Sequence, residues 1–409
     1  MCDGGLVGQL RIEILLNGLM ANMAGGEYHM LKVANLWSKT YNVSIVTPRN
    51  SEHSVKTLSP NADVLTYRSR LECDQLLNRS LRTALLSLAR VFVCSLQRNT
   101  VDVVLAASHY PHDVIPAIIH SLRNGGVPVV VYIHSIFIPH QQGLVNFILS
   151  LVNNYLGIFL SRLCASLIFV INEPTRSLLA SMGYPPRQLI TITNGVDLPT
   201  GGISFEKEYD GCYVGRFARP KGIYDLIEVW SKICNQRPFA KLLLIGSGEE
   251  INGMRQLLLS LGLSGNVILR DQLVSDQEKF ECLMKSRVFI SPSYNEGWGI
   301  AVAEAIACKV PAVVYALPTY GQIFGDFVGS SLFSVPIGDK NQLALGILRL
   351  LQNPIADQIL SANSERLLEK YEWKGVAWHE LKFIENTLSR KKADLGQRCD
   401  GVGLMKGAP

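Results

Sequence analysis

The stretch RVFISPSYNEGWGIAVAEAIACKVPAVVYA, Arg287 to Ala316, reads as strand, glycine turn, helix and strand. RVFISPS (Arg287 to Ser293) and PAVVYA (Pro311 to Ala316) are short, continuously apolar runs, the pattern of strands buried on both faces. Between them Ile300 to Cys308 predicts an apolar helix. Strands joined through helices run parallel, in a sheet covered on both sides. The turn and helix also carry two acids, Glu296 and Glu304, eight residues apart. Glu296 follows a buried strand, where an open α/β sheet presents its ligand-binding edge. Glu304 sits among Ala, Val and Ile, and a carboxylate placed there needs hydrogen-bond donors, which paired ribose hydroxyls would supply. Gly297 and Gly299 let the backbone approach closely, and the free N–H groups of the helix start suit hydroxyls or phosphate.

The same grammar extends to both sides. GCYVGR (Gly211 to Arg216), AKLLLIG (Ala240 to Gly246) and NVILR (Asn266 to Arg270) are further strands. Tyr224 to Cys234, Met254 to Leu261 and Ser275 to Lys285 are helices, the last opened by a capping box of Ser275 and Glu278. LPTGGISFEKEYD, Leu198 to Asp210, is rich in turn formers and charge and reads as a linker. Before it, RIEILL (Arg11 to Leu16), VSIVT (Val43 to Thr47), VDVVLAA (Val101 to Ala107), VPVVVYIH (Val127 to His134), SLIFVIN (Ser166 to Asn172) and LITITN (Leu189 to Asn194) form a second set of strands. Helices are predicted over Glu27 to Lys39 and Leu76 to Gln97. The expected organisation is an α/β pair of doubly wound, Rossmann-like domains: 1–197, a linker at 198–210, and 211–372. A helix follows at 373–390, with Trp373, Val376, Ala377, Leu381, Ile384 and Leu388 on one face, and then a disordered tail at 391–409.

Composition supports a folded, two-domain chain. It has 409 residues, 48% hydrophobic and 18% charged, too long for one compact core and too apolar for disorder. A net charge of +5 is mild and dispersed, which argues against nucleic acid and is compatible with anionic substrates or a membrane surface. Nine scattered cysteines without a C-x-x-C pair fit a reducing compartment and exclude a zinc site of that kind. MCDGGLVGQL lacks the features of a signal peptide, so the expected location is cytoplasmic. Leu144 to Ser161 carries no charge over 18 residues. Asn146, Ser150, Asn153, Asn154 and Gly157 interrupt it, so a buried helix is favoured over an interfacial helix and over a membrane span.

Three more constellations bear on chemistry. VGRFARPKG, Val214 to Gly222, puts Arg216 and Lys221 in a turn after a strand. Arginine grips two phosphate oxygens as a fork and lysine acts as a mobile point charge. It is not a P-loop, since G-x-x-x-x-G-K-[ST] is missing. MAGGEYH, Met23 to His29, sets Gly25 and Gly26 before a helix, without the dinucleotide fingerprint G-x-G-x-x-G, which argues against a dehydrogenase. His134 closes a buried strand.

These parts together resemble the retaining, nucleotide-sugar-dependent glycosyltransferases of family 4, which have the GT-B fold. The resemblance runs from about Leu10 to Arg390. It rests on E-x7-E at Glu296 and Glu304, V-G-R-x-x-x-x-K-G in VGRFARPKG, N-G-V-D at Asn194 to Asp197 and the G-x-G turn of IGSGEE. It implies that the C-terminal helix returns to the N-terminal domain. It implies that Glu304 holds the donor ribose, and that Glu296, with the amides of Gly297, Trp298 and Gly299, holds the transferred hexose. Arg216 and Lys221 would neutralise the diphosphate, and Gly25 or Gly26 would touch it from the other domain. His134 would contact the sugar. Gly215, Gly246 and Leu273 would line the donor. It implies no metal or other cofactor, a nucleoside-diphosphate sugar as donor, and a glycan or lipid-linked acceptor. A nucleotide-sugar epimerase of the same fold and a non-catalytic nucleotide-sugar-binding protein are the alternatives.

The sequence departs from the family pattern at ACKVPAVVYALPTYG, where Lys309 replaces a glycine and Pro318-Thr319-Tyr320-Gly321 replaces a glycine-rich loop. It departs again at Arg270-Asp271, in NVILRDQL beside Leu273. On the helix Leu76 to Gln97, Arg79, Arg82 and Arg90 lie opposite an apolar face, with Leu86 and Val93 among them, which suits an anionic membrane surface.

Overall fold

The computed structural model describes residues 10–18, 25–67, 89, 91–97, 99–134, 136, 144–197, 205–271 and 275–402. The chain divides into two compact units, Met1–Thr193 with Trp373–Pro409, and Asn194–Glu372.

Unit 1 holds a parallel sheet of seven strands: β1 (Arg11–Leu15), β2 (Asn42–Pro48), β3 (Asp63–Tyr67), β4 (Val103–Ala106), β5 (Val129–Ile133), β6 (Leu167–Val170) and β7 (Leu189–Thr191). Their order is β3-β2-β1-β4-β5-β6-β7. The order reverses between β1 and β4, and chains leave both strands at the same edge. Val103 to Ala106 and Val129 to Ile133 are wholly buried, as continuous apolar strands require. The strand Asp63–Tyr67 and the helices Glu52–Leu58, Pro111–Arg123 and Glu173–Ser181 are additions to the sequence reading.

The helix Trp373–Val402 belongs to unit 1. Trp37 Nε1 donates to Ala377 O at 2.8 Å, and Tyr132 Oη donates to Glu380 Oε2 at 2.8 Å. The helix continues past Arg390, where a disordered tail was expected. Lys391, Lys392, Ala393 and Leu395 are good helix formers, so nothing local stops it before Gly396.

The uncharged segment is the helix Leu144–Cys164, and the expectation of a buried helix holds for only one of its faces. Asn154, Gly157, Ile158 and Ser161 face inward. Asn154 Oδ1 lies 2.7 Å from His109 Nε2, and a Cβ on Gly157 would overlap the His109 carbonyl. Ile148, Val152, Tyr155, Leu156, Phe159 and Leu163 face outward, Val152 at 56% and Leu163 at 68% exposure. Asn154 and Gly157, two of the residues that interrupt the run, are thus ones that pack, while six large apolar side chains are left outside. No helix among the described residues is long and apolar enough to cross a membrane. Arg79, Arg82 and Arg90 lie outside the described residues.

Unit 2 holds a six-stranded parallel sheet: β8 (Tyr209–Val214), β9 (Leu242–Ile245), β10 (Val267–Arg270), β11 (Ser286–Ser291), β12 (Ala312–Tyr315) and β13 (Leu332–Val335). The order is β10-β9-β8-β11-β12-β13, reversing between β8 and β11. Trp230, Ile227 and Ile233 of the helix Ile223–Gln236 pack with Leu242, Leu244 and Ile290 in its core. The unit's two ends meet, with Val196 N donating to Tyr371 O at 2.9 Å.

Candidate active site

In unit 2 the basic turn leaves β8 and the acidic turn leaves β11, the two strands between which the order reverses. Ligands of open α/β sheets bind at that crevice. The two turns are bonded to each other. Tyr294 N donates to Pro220 O at 2.9 Å. Gly222 has φ +66, and a Cβ there would stand 1.9 Å from Pro292 O, so only glycine lets the basic turn lie against the acidic one. Lys221 Nζ then reaches Glu296 Oε2 at 2.7 Å, while Glu296 Oε1 accepts from Ser293 Oγ at 2.8 Å. Arg216 is exposed, and Tyr213 Oη fixes its backbone by donating to Arg216 O at 3.0 Å. Gly215 and Gly246 meet at the ends of β8 and β9.

Gly299, at φ 104, caps the helix Ile300–Ala307. Gly297 lies in the same turn. The Trp298 ring is buried against Phe324 (5.4 Å) and Tyr371 (5.1 Å). Its side chain therefore anchors the turn and is not offered to a ligand. Pro318–Phe324 is a short helix in place of a glycine-rich loop, with Tyr320 buried and hydrogen-bonded to Ser291 Oγ at 3.1 Å. Arg270 pairs with Glu278, and Asp271 with Arg255. Leu273 lies outside the described residues.

Glu304 is 4% exposed. A donor for it already exists within the protein: Lys279 Nζ lies 2.6 Å from Glu304 Oε1 and 3.0 Å from Asp276 Oδ1. Burial raises Glu304 above the usual carboxylate range, and Lys279 pulls it part of the way back. Burial alone would lower Lys279, but Glu304 and Asp276 outweigh it and hold the ammonium above its ordinary value. Sequence reading missed Lys279, because its partner stands on another helix and no local spacing joins the two.

In unit 1, His134 ends β5 and Gly25 and Gly26 open the helix Gly25–Trp37. A Cβ on Gly26 would stand 2.6 Å from His134 Cδ2, so the histidine ring rests on that glycine's backbone. Gly25 is exposed. Tyr132 stacks on His134 (ring centroids 5.8 Å apart), and His29 meets it edge-on at 5.7 Å. Behind them His29 Nε2 and Glu380 Oε1 form a fully buried pair at 2.8 Å, a pairing also missed from the sequence. Burial, with His29 and His109 nearby, lowers His134 to about 3, so its imidazole is neutral at ordinary pH. Burial lowers His109 to about 4.

Comparison with known proteins bears on both units. Residues 23–199 match the family described as Glycosyltransferase Family 4, and residues 202–367 match Glycosyl transferases group 1. A capsular polysaccharide biosynthesis glycosyltransferase of Staphylococcus aureus is 26% identical over 64% of this chain and 72% of its own length. A phosphatidyl-myo-inositol mannosyltransferase of Mycobacterium leprae is 26% identical over 42% of this chain and 45% of its own. The chain thus spans less than half of the mycobacterial relative. Among solved structures, Anabaena HepE with UDP and glucose has a TM-score of 0.71 at 16% identity, covering 92% of this chain and all of that one. The pneumococcal O-GlcNAc transferase GtfA with UDP and GlcNAc has a TM-score of 0.68 at 13% identity, covering 93% and 99%.

Proposed function

Because this chain belongs to the family 4 glycosyltransferases of GT-B fold, we propose that it transfers a hexose from a UDP-sugar to a glycan or lipid-linked acceptor with retention of configuration. The observation that carries the reading is the bonded pair of turns at the strand reversal of unit 2. They place Arg216, Lys221 and Glu296 beside a helix start whose next turn holds Glu304. Glu304 takes the ribose hydroxyls, and Glu296 with the amides of Gly297, Trp298 and Gly299 takes the sugar. Arg216 and Lys221 face the diphosphate. The acceptor oxygen attacks the anomeric carbon on the face from which the diphosphate leaves. The C–O bond to phosphate breaks as the new one forms, and the acceptor proton passes to the departing phosphate oxygen. Charge grows on that phosphate, and two fixed cations stabilise it without a metal. His134, held neutral, offers the sugar a hydrogen bond without adding charge. UDP is favoured because HepE and GtfA are both solved with it.

The acceptor class follows from what the relatives are named for, capsular polysaccharide and phosphatidyl-myo-inositol. An acceptor of that kind is met at a bilayer, and the outward apolar stripe of Leu144–Cys164 supports an anionic membrane surface as a partner of unit 1. Between Asp113 and Glu173 the chain has no acidic residue, and Arg123 and Arg162 on this stretch are exposed.

Thermal-shift screening with UDP, GDP and ADP, then with their sugar conjugates, tests the donor, since a ligand of the native state raises apparent stability. UDP and a UDP-hexose are expected to give the largest shifts, with rates unchanged by EDTA. Donor conversion without acceptor, or an inverted product anomer by NMR, would overturn the reading.

A further inference from the structure

Glu304 has a charged environment that its proposed role does not explain. Lys279 and Asp276 face it from the helix Asp276–Met284, and Asp197 acts on it from the start of unit 2. Cys308, at the end of its own helix, is pushed up by burial and by Glu304. The helix Asp357–Lys370, packed on the same helix, contributes Leu360, Ser364 and Leu367 as its buried residues. Burial and both aspartates push Glu304 toward the neutral acid, and Lys279 alone opposes them. Lys279 occupies Oε1. Among the described residues Oε2 has no hydrogen-bond partner, which leaves it for a ligand.

The chemistry of a ribose makes the protonation state matter. Its vicinal hydroxyls both donate, and a carboxylate accepts two such bonds, whereas a carboxylic acid must itself donate from one oxygen. A charged acceptor also forms the stronger bond. We propose that Lys279 is a positioning residue of the nucleotide site: through its bond to Glu304 it keeps that buried side chain a carboxylate, able to accept from the donor's paired ribose hydroxyls. The inference rests on the ribose role of Glu304.

Calorimetric titration of Lys279→Met and Lys279→Gln with UDP and with 2′,3′-dideoxy-UDP tests it, at about pH 6 and about pH 8.5. The variant-to-wild-type ratio of Kd cancels the titration of the phosphate itself. That ratio for UDP is expected to be about tenfold at the lower pH and to shrink toward one at the higher, as Glu304 loses its proton. For the dideoxy nucleotide it is expected to be near one throughout. Lys279→Arg keeps the charge and is expected to behave as wild type. A UDP ratio near one at both pH values, or one that does not change with pH, overturns the role of Lys279. Equal binding of UDP and dideoxy-UDP by the wild type overturns the ribose role instead. Should both neutral variants fail to fold, the wild type still decides. Its preference for UDP over dideoxy-UDP stays constant between these pH values if Glu304 remains ionised, and a preference that fades at the lower pH sinks the proposal. Should the thermal screen select GDP or ADP, the same pair is run with that base.

Discussion

Glu296 and Glu304 start from the same chemistry and are separated by their partners. Lys221 meets Glu296 at a half-open position, whereas Lys279 meets Glu304 in the interior. Alanine at each should therefore fail differently. Glu304→Ala is expected to weaken UDP binding by about 10- to 100-fold, the worth of one or two charge-assisted hydrogen bonds. Glu296→Ala is expected to leave UDP affinity within a few-fold and to lower the transfer rate by roughly 100-fold. Titration calorimetry and single-turnover transfer separate the two, and equal UDP affinity in wild type and Glu304→Ala would refute the ribose role. The buried histidines give a second prediction. His134 and His109 lie at about 3 and about 4 in the folded chain, below the ordinary value of 6.5. The unfolded chain takes up these protons first, so the stability they confer is full above about pH 6.5 and drains away as pH falls toward 4 and then 3. Thermal melts of wild type should decline through that window, and His109→Gln should flatten the upper part of the decline. A melting temperature indifferent to pH between 6.5 and 4 would rule this out.

Among the elements, the turn from Ala218 to Gly222 depends on one left-handed residue, Gly222. Gly222→Ala forces a side chain into a left-handed backbone and against Pro292 O, a cost of about 1–3 kcal/mol. It also pushes Lys221 from Glu296, so activity is expected to fall more than stability, measured as transfer rate against chemical denaturation. Gly26→Ala is expected to displace His134 and to lower the single-turnover transfer rate of the full chain. Strands were the most readable elements, because Val103 to Ala106 or Leu242 to Ile245 are apolar at every position and leave no other reading. Asp63–Tyr67 was missed, being short and half-buried at the sheet edge. Leu144–Cys164 was legible as a helix but not in its orientation. Periodicity says that two faces differ, not which one is turned inward, and here Asn154 bonding to His109 decided it. The basic and acidic turns of unit 2 were legible from residue type and spacing. Lys279 with Glu304, and His29 with Glu380, were not, since each pair joins elements that only the fold brings together.

For the molecule as a whole, the outward stripe makes a prediction about where the enzyme works. A triple variant Val152→Ser, Phe159→Ser, Leu163→Ser removes exposed apolar side chains and disturbs no inward contact. It is expected to lose flotation with anionic liposomes while its melting temperature stays within a few degrees. Unchanged flotation would remove this helix from the membrane reading. Strand order reverses once in each sheet, and in unit 2 the basic and acidic turns leave the two strands at the reversal. The two doubly wound halves expected from the sequence thus put the basic and the acidic turn side by side in unit 2.

The return of Trp373–Val402 to unit 1 gives the chain a nested order, with unit 2 inserted into unit 1. Synthesis runs from the first residue to the last, so every strand of both sheets leaves the ribosome before Glu380 does. Unit 2 begins and ends at neighbouring residues, with Val196 bonded to Tyr371, and can close on itself during translation. Unit 1 must wait, holding His29 and Tyr132 without their carboxylate until the last helix emerges. A chain ended at Glu372 and released from the ribosome should therefore present a protease-resistant unit 2 and a protease-sensitive unit 1. The histidine proposed to meet the sugar would be among the last parts of the protein to be set in place.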